Sequence, residues 1–238
     1  MKENIDILNK EFGKYSAKEL LRFFLKLYKG RISFSTSFGA EDQVLTDMIF
    51  KIDNEADIFT LDTGRLPYET YDVMHRTNLK YETKISVYFP LSEDIECLYK
   101  EQGINGFYDS VQNRKDCCFV RKIAPLKRAL EGVDVWITGL RAQQSITRED
   151  LQLFEWDEGN HIIKLNPLIL WSEQDIWDYI KENDVPYNAL HDKGYPSIGC
   201  APCTRAVKEG ADVRSGRWWW ESPEHKECGL HINIKDNQ

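Results

Sequence analysis

Apolar positions recur along the chain in two alternating rhythms, and the alternation predicts the architecture. Ile5, Leu8 and Phe12 fall at helical spacing, and Gly13 ends that run. Ser16 and Glu19 have the spacing of a capping box. The helix they introduce would bury Leu20, Leu21, Phe24, Leu25 and Tyr28 and stop at Gly30. Arg31 to Ser37 is a β-prone stretch, Phe38-Gly39-Ala40 turns the chain, and Glu41 to Lys51 is helical. The unit then repeats loosely. A strand over Asp57–Leu61 precedes a helix from Pro67 to Leu79, and a strand over Lys84–Phe89 precedes one from Ser92 to Lys100. After a polar loop come a helix from Cys118 to Leu130 and a strand over Val133–Thr138. Leu151–Trp156 and His161–Leu165 suit a hairpin, and Ser172 caps a helix running to Glu182.

Strands alternating with helices predict an α/β fold with a mostly parallel sheet flanked by helices. Ligands of such sheets lie beyond the carboxyl ends of the strands. The segments at those ends are Ser37–Glu41, Asp62–Arg65 and Gly139–Arg141. From Asn183 the periodicity fades, and Gly, Pro, Cys and Arg dominate, as in a binding or catalytic segment packed on the domain.

Composition narrows the classes. The chain has 238 residues, 42% hydrophobic and 29% charged, enough for one α/β domain with a sizeable core. Its net charge of −8 argues against a nucleic-acid binder, because phosphate backbones reward basic faces. No apolar run reaches the roughly 18 residues of a membrane span, and the N-terminus lacks a signal-type apolar core, so a cytoplasmic protein is expected. In that compartment Cys97, Cys117, Cys118, Cys200, Cys203 and Cys228 read as metal ligands or redox thiols before disulfides. Cys97 falls within a helical pattern and reads as a core cysteine.

Five features carry candidate chemistry. Ser35-Thr-Ser-Phe-Gly-Ala-Glu-Asp42 can present backbone N–H groups to an anion at a helix N-terminus, or be an ordinary capped turn. It lacks the Gly-Lys-Ser/Thr of a Walker loop. Asp62-Thr-Gly-Arg65 offers carboxylate, hydroxyl and guanidinium for a ribose and a phosphate, or simply caps a helix. Cys117-Cys118 with Cys200-Ala-Pro-Cys203 suits zinc, an iron–sulfur cluster or a redox dithiol. Adjacent side chains diverge, which fits the separate iron corners of a cubane better than one small ion. Basic residues gather around these cysteines, among them Arg114, Lys115, Arg121, Lys122, Arg205, Arg214 and Arg217, which suits a polyanionic small substrate or, for several of them, simply a solvated surface. Finally, Cys228 stands between Lys226 and His231, either of which can lower a thiol pKa; an incidental exposed cysteine is the plainer alternative. Trp218-Trp-Trp220 can stack on a base, but packing of the tail is the simpler use.

Together these segments resemble the assimilatory adenylyl-sulfate/phosphoadenylyl-sulfate reductase family, from about Ser33 to His231. The resemblance implies an adenine-nucleotide α-hydrolase-like fold, with 1–238 as a single reductase domain and about 205–238 as its catalytic tail. It implies that the Cys228 thiolate attacks the sulfur of the bound sulfonucleotide, with Lys122, Arg214 and Arg217 holding the phosphate charge and His231 beside the nucleophile. Ser35, Ser37, Asp62, Gly64, Arg65, Gly139 and Arg141 would line the nucleotide pocket. The branch of the family that carries both cysteine pairs binds a [4Fe–4S] cluster and generally uses adenylyl sulfate, so Cys117, Cys118, Cys200 and Cys203 are the expected cluster ligands. Some members of that branch also accept phosphoadenylyl sulfate. The chain ends seven residues after His231 without a fused thioredoxin-like domain, so an external thioredoxin or glutaredoxin is the expected reductant; homo-oligomerisation is also implied. An ATP-pyrophosphatase-type transferase would need a Ser-Gly-Gly-x-Asp-Ser loop, from which Ser35–Asp42 departs, and a non-catalytic iron–sulfur regulator would leave Cys228 without a task.

Overall fold

The computed structural model describes residues 2–144, 151–208 and 210–222. Cys228 and His231 lie outside the described residues. The chain divides into two compact units. The first comprises Met1–Thr60, Glu69–Ser86 and Gly132–Ala189, and the second Leu61–Tyr68, Val87–Glu131 and Leu190–Gln238.

The first unit opens with α1 (Ile5–Phe12) and α2 (Ala17–Leu27). Ser16 and Glu19 form the expected capping box, which satisfies backbone donors that have no partner inside the helix. Phe12, Phe24 and Phe154 then meet in a ring cluster, with the centroids of Phe24 and Phe154 5.1 Å apart. Six strands follow: β1 (Ile32–Ser35), β2 (Ile58–Leu61), β3 (Ser86–Tyr88), β4 (Val135–Ile137), β5 (Phe154–Asp157) and β6 (Ile162–Leu165). They lie in the order β3-β2-β1-β4-β6-β5. β1 pairs in parallel with β2 (Phe34 opposite Ile58) and with β4 (Ile32 opposite Val135). β4 pairs in parallel with β6, and β5 pairs antiparallel with β6 as the first arm of the expected hairpin. The central strands are buried on both faces; β4 reads as an apolar run, while β1 and β6 also bury Ser33 and Lys164.

Around the sheet lie α3 (Ala40–Ile52), α4 (Tyr68–Lys80) and α8 (Glu173–Glu182). One buried carboxylate ties this layer together. Asp47 on α3 accepts hydrogen bonds from Tyr81 (2.8 Å) and Tyr179 (2.7 Å) and pairs with Lys51 at 2.7 Å. Three partners satisfy a charge that would be costly to bury alone.

The second unit holds α5 (Ser92–Gln102), α6 (Val111–Cys118), a π-helical turn at Phe119–Ile123, α7 (Ala124–Ala129) and the segment from Leu190 onward. Two expectations are corrected here. The helix around the first cysteine pair starts at Val111, not Cys118, with Ser110 accepting from the Asn113 N–H. Its sequence VQNRKDCC has no apolar period because the residues it buries are Arg114 and Cys118. Cys97, expected in the core, is exposed: α5 buries only Leu98, and the Cys97 thiol faces Glu101 at 3.5 Å. No helix among the described residues is long and apolar enough to cross a membrane.

Candidate active site

The predicted residues fall into two sets, one in each unit. In the first unit the loop between β1 and α3 is held by its own side chains. Phe38 adopts a left-handed conformation (φ 59°) that a bulky residue seldom tolerates, and its N–H donates to Thr36 Oγ1 at 3.0 Å. The N–H and hydroxyl of Ser37 both donate to Asp42 Oδ2 at 2.6 Å. Three donors of the candidate anion loop are therefore directed at protein acceptors. The Ser35 hydroxyl accepts from the Trp136 indole N–H at 2.8 Å. Asp42 is buried, and burial pushes its carboxyl up to about 6 despite the Ser37 donors.

Gly139 belongs to this set for a steric reason. A Cβ there would run into the Asp42 carboxylate. Arg141, almost wholly buried, is fixed by Glu41: its Nε and Nη2 both lie 2.8 Å from Glu41 Oε1. Ser35, Ser37, Gly139 and Arg141 thus occur in one unit, with Glu41 and Asp42 as partners that the spacing of residues did not reveal.

In the second unit Asp62 makes the turn after β2 by accepting from the Gly64 N–H at 2.8 Å. Gly64 sits at φ 70°, where only glycine is unstrained. Arg65, expected to meet a nucleotide, lines a cavity that also receives Cys117, Cys118, Cys200 and Cys203. Arg114, Arg121 and Lys122 line the same cavity. The two cysteine pairs line this one cavity although Cys200 follows Cys118 by 82 positions in the chain.

The cavity is rich in donors. Arg65 and Arg121 both donate to the Tyr99 hydroxyl, at 3.2 and 2.8 Å, and their guanidinium charges hold that phenol below its usual pKa. Cys200 Sγ lies 3.2 Å from Thr63 Oγ1. Burial pushes the Cys117 thiol up and the Cys203 thiol up to about 12, the latter with help from neighbouring Cys200 and Cys118. Two buried donors in this neighbourhood, Arg121 Nε and the Trp218 indole N–H, have no hydrogen-bond partner among the described residues. Trp218 packs against Cys200 and Cys203.

These observations fit an anionic metal–sulfur group: four thiols, a surplus of guanidinium and ammonium charge, and orphaned N–H donors that sulfur can satisfy. Among the described residues, no group of three or more His, Cys, Asp or Glu converges tightly enough for a single metal ion.

Arg214 and Arg217 gather on Trp218. Their guanidinium carbons lie 5.8 and 4.8 Å from the indole ring centroid, and that of Arg114 lies at 4.8 Å. Arg217 is buried and fills the space beside Gly199 that a Cβ would need. Sequence reasoning gave Trp218 base stacking or packing, and Thr63 a hydroxyl for a ribose or phosphate. It missed Tyr99 and Glu221, since a single polar residue carries no signal of a distant partner.

The fold, with the cysteine-lined cationic cavity of the second unit, points to a class. Residues 31–206 match the phosphoadenosine phosphosulfate reductase domain. The chain belongs to that family. It is 56% identical over 200 residues to an adenosine 5'-phosphosulfate reductase of Allochromatium vinosum, covering 84% of this chain and 78% of that protein. It is 48% identical over 202 residues to the enzyme of the same name from Burkholderia cepacia, covering 85% and 81%. The phosphoadenylyl-sulfate reductase of Candida auris superposes with a TM-score of 0.74 at 33% identity, over 87% of this chain and 98% of that one. An NH3-dependent NAD synthetase from Campylobacter jejuni shares the fold alone, at TM-score 0.52 and 8% identity, over 76% of each chain.

Proposed function

We propose that this protein reduces adenylyl sulfate to sulfite and AMP in sulfate assimilation. The observation that carries the reading is the high identity to proteins named for that reaction, over more than four-fifths of the chain. The cysteine-lined cationic cavity supports it independently.

In this reading the nucleophile is the Cys228 thiolate. It attacks the sulfate sulfur, an S–S bond forms, the bond from that sulfur to the phosphate oxygen breaks, and AMP leaves with the bonding pair. The enzyme then carries an S-sulfocysteine. A dithiol reductant such as thioredoxin or glutaredoxin attacks the adduct, supplies two electrons, releases sulfite and returns the thiol as the reductant closes its own disulfide. Lys122, Arg214 and Arg217 neutralise the phosphate and sulfate charge that grows on the leaving side. His231 stands three residues from the nucleophile and serves to hold or move its proton. Ser35, Ser37, Asp62, Gly64, Arg65, Gly139 and Arg141 bind the nucleotide, of which Arg65 has a second role as a wall of the cysteine cavity.

Cys117, Cys118, Cys200 and Cys203 would hold a [4Fe–4S] cluster, which would supply electrostatic order around the cations and not electrons for sulfur. Four cysteines that line one cavity beside cationic side chains support this reading.

Incubating the anaerobically purified protein with adenylyl sulfate, without reductant, tests the reading. Mass spectrometry should find a sulfonate adduct on Cys228, and adding thioredoxin should release sulfite. Absence of the adduct from iron-loaded protein overturns the assignment. Running phosphoadenylyl sulfate in parallel decides between single and dual specificity.

A further inference from the structure

Glu221 is a charged and buried side chain seven residues before Cys228. Its carboxylate is 3% exposed, and it meets Arg114, 2% exposed, in a two-pronged pair. Arg114 Nε donates to Oε1 and Nη2 to Oε2, both at 2.9 Å. This fork geometry fixes orientation as well as distance. Arg114 stands one helical turn before Cys117 and Cys118 on α6 and hydrogen-bonds the Cys118 thiol. Its guanidinium also covers the Trp218 ring at 4.8 Å.

The main chain completes the connection. The Glu221 N–H donates to Trp218 O at 2.9 Å, and the Trp218 N–H donates to Cys203 O at 3.2 Å. Trp218 itself holds a left-handed conformation at φ 39°, which a bulky side chain keeps only when its surroundings enforce it. Both cysteine pairs are therefore bound to the root of the tail, one through Arg114 and one through Trp218. Cys228 follows Glu221 by seven residues.

We propose that the Arg114–Glu221 pair is a positioning clamp for the nucleophile: it fixes the direction in which the tail leaves the cysteine cavity, and so the attack of Cys228 on bound substrate. The proposal rests on Cys228 being the nucleophile. Neither residue touches the reacting atoms. A merely longer tether would matter little. Releasing residues 219–221 lengthens the free segment from seven to ten residues, and the local concentration of Cys228 then falls by about twofold. Loss of orientation costs more than that, because a misdirected thiolate must search for the line of attack.

The test is single-turnover formation of the Cys228 adduct at saturating adenylyl sulfate, measured per iron-loaded protein, beside the affinity for AMP by calorimetry. The variants are Glu221→Gln, which keeps the shape and removes the charge, Glu221→Asp, which keeps the charge and shortens the reach, and Arg114→Lys, which keeps the charge and removes the fork. We expect adduct formation to slow by tenfold or more in Glu221→Gln, and by a smaller factor above threefold in the other two, with AMP affinity within threefold of the parent. A fall of threefold or less overturns the clamp, and so does a loss of AMP affinity in proportion to the rate. If Glu221→Gln retains no iron, Glu221→Asp and Arg114→Lys are read against the same limits. A parent protein that forms no adduct refutes the assigned reaction instead, so the two failures are separate.

Discussion

Replacing Gly139 by alanine is the sharpest test of how the first unit builds its anion loop. Gly139 is not in the left-handed region, so conformational freedom does not explain it. Space does: the added methyl would collide with the Asp42 carboxylate, with its Oδ1 nearest and the Asp42 N–H group only 3.4 Å away. Relief requires the carboxylate to retreat by roughly 1 Å, out of overlap and into ordinary contact. Asp42 is buried and held by two 2.6 Å hydrogen bonds from Ser37, so retreat breaks or stretches both. Hydrogen bonds to charged groups contribute about 1.5–3 kcal/mol each. Allowing for partial relaxation, the variant should lose about 2–4 kcal/mol. For a chain of this size that lowers the Tm by roughly 5–12 °C. Calorimetry on iron-loaded protein measures it, and a Tm within about 2 °C of the parent would refute the reasoning. A cycle with Asp42→Ala sharpens the test: without the carboxylate there is no collision, so adding Gly139→Ala to Asp42→Ala should cost less than about 1 kcal/mol. An undiminished cost in that background would show that the methyl meets something other than Asp42.

Three further outcomes follow from the same geometry. Burial raises the Asp42 carboxyl to about 6, so the folded protein takes up a proton there more readily than the unfolded chain; stability should fall as pH rises from about 4 to 6, by at most about 3 kcal/mol, and urea titrations should show that component of the slope vanish in Asp42→Asn. Cys203→Ser should lose the brown absorbance and bound iron, and with them most sulfite production; full activity without iron would contradict the electrostatic role given to the cluster. Tyr99→Phe removes the acceptor shared by Arg65 and Arg121, two guanidiniums with no carboxylate between them, and should weaken AMP binding several-fold at near-parental iron content, which calorimetry and iron analysis check together.

Local rules decide the parts of this protein that depend on neighbours in sequence. Helical spacing in α1 and α2, the capping box at Ser16 and the cap at Ser172 were legible, because capping and burial act within a few residues. So were the glycine at the Asp62 turn and the family resemblance, whose motifs keep their order along the chain. What only the tertiary structure decided is which distant polar side chains share a cavity. VQNRKDCC reads as a loop because it buries a guanidinium where a helix normally buries a leucine, and the partner that makes this tolerable, Glu221, lies more than a hundred residues away. Cys97 reads as core by its spacing, yet α5 turns that face outward. Arg65 belongs by sequence to a nucleotide turn and in space to the cysteine cavity. Apolar periodicity records which face of an element is buried; it carries no record of a buried charge, whose stability depends on a partner that the fold alone delivers.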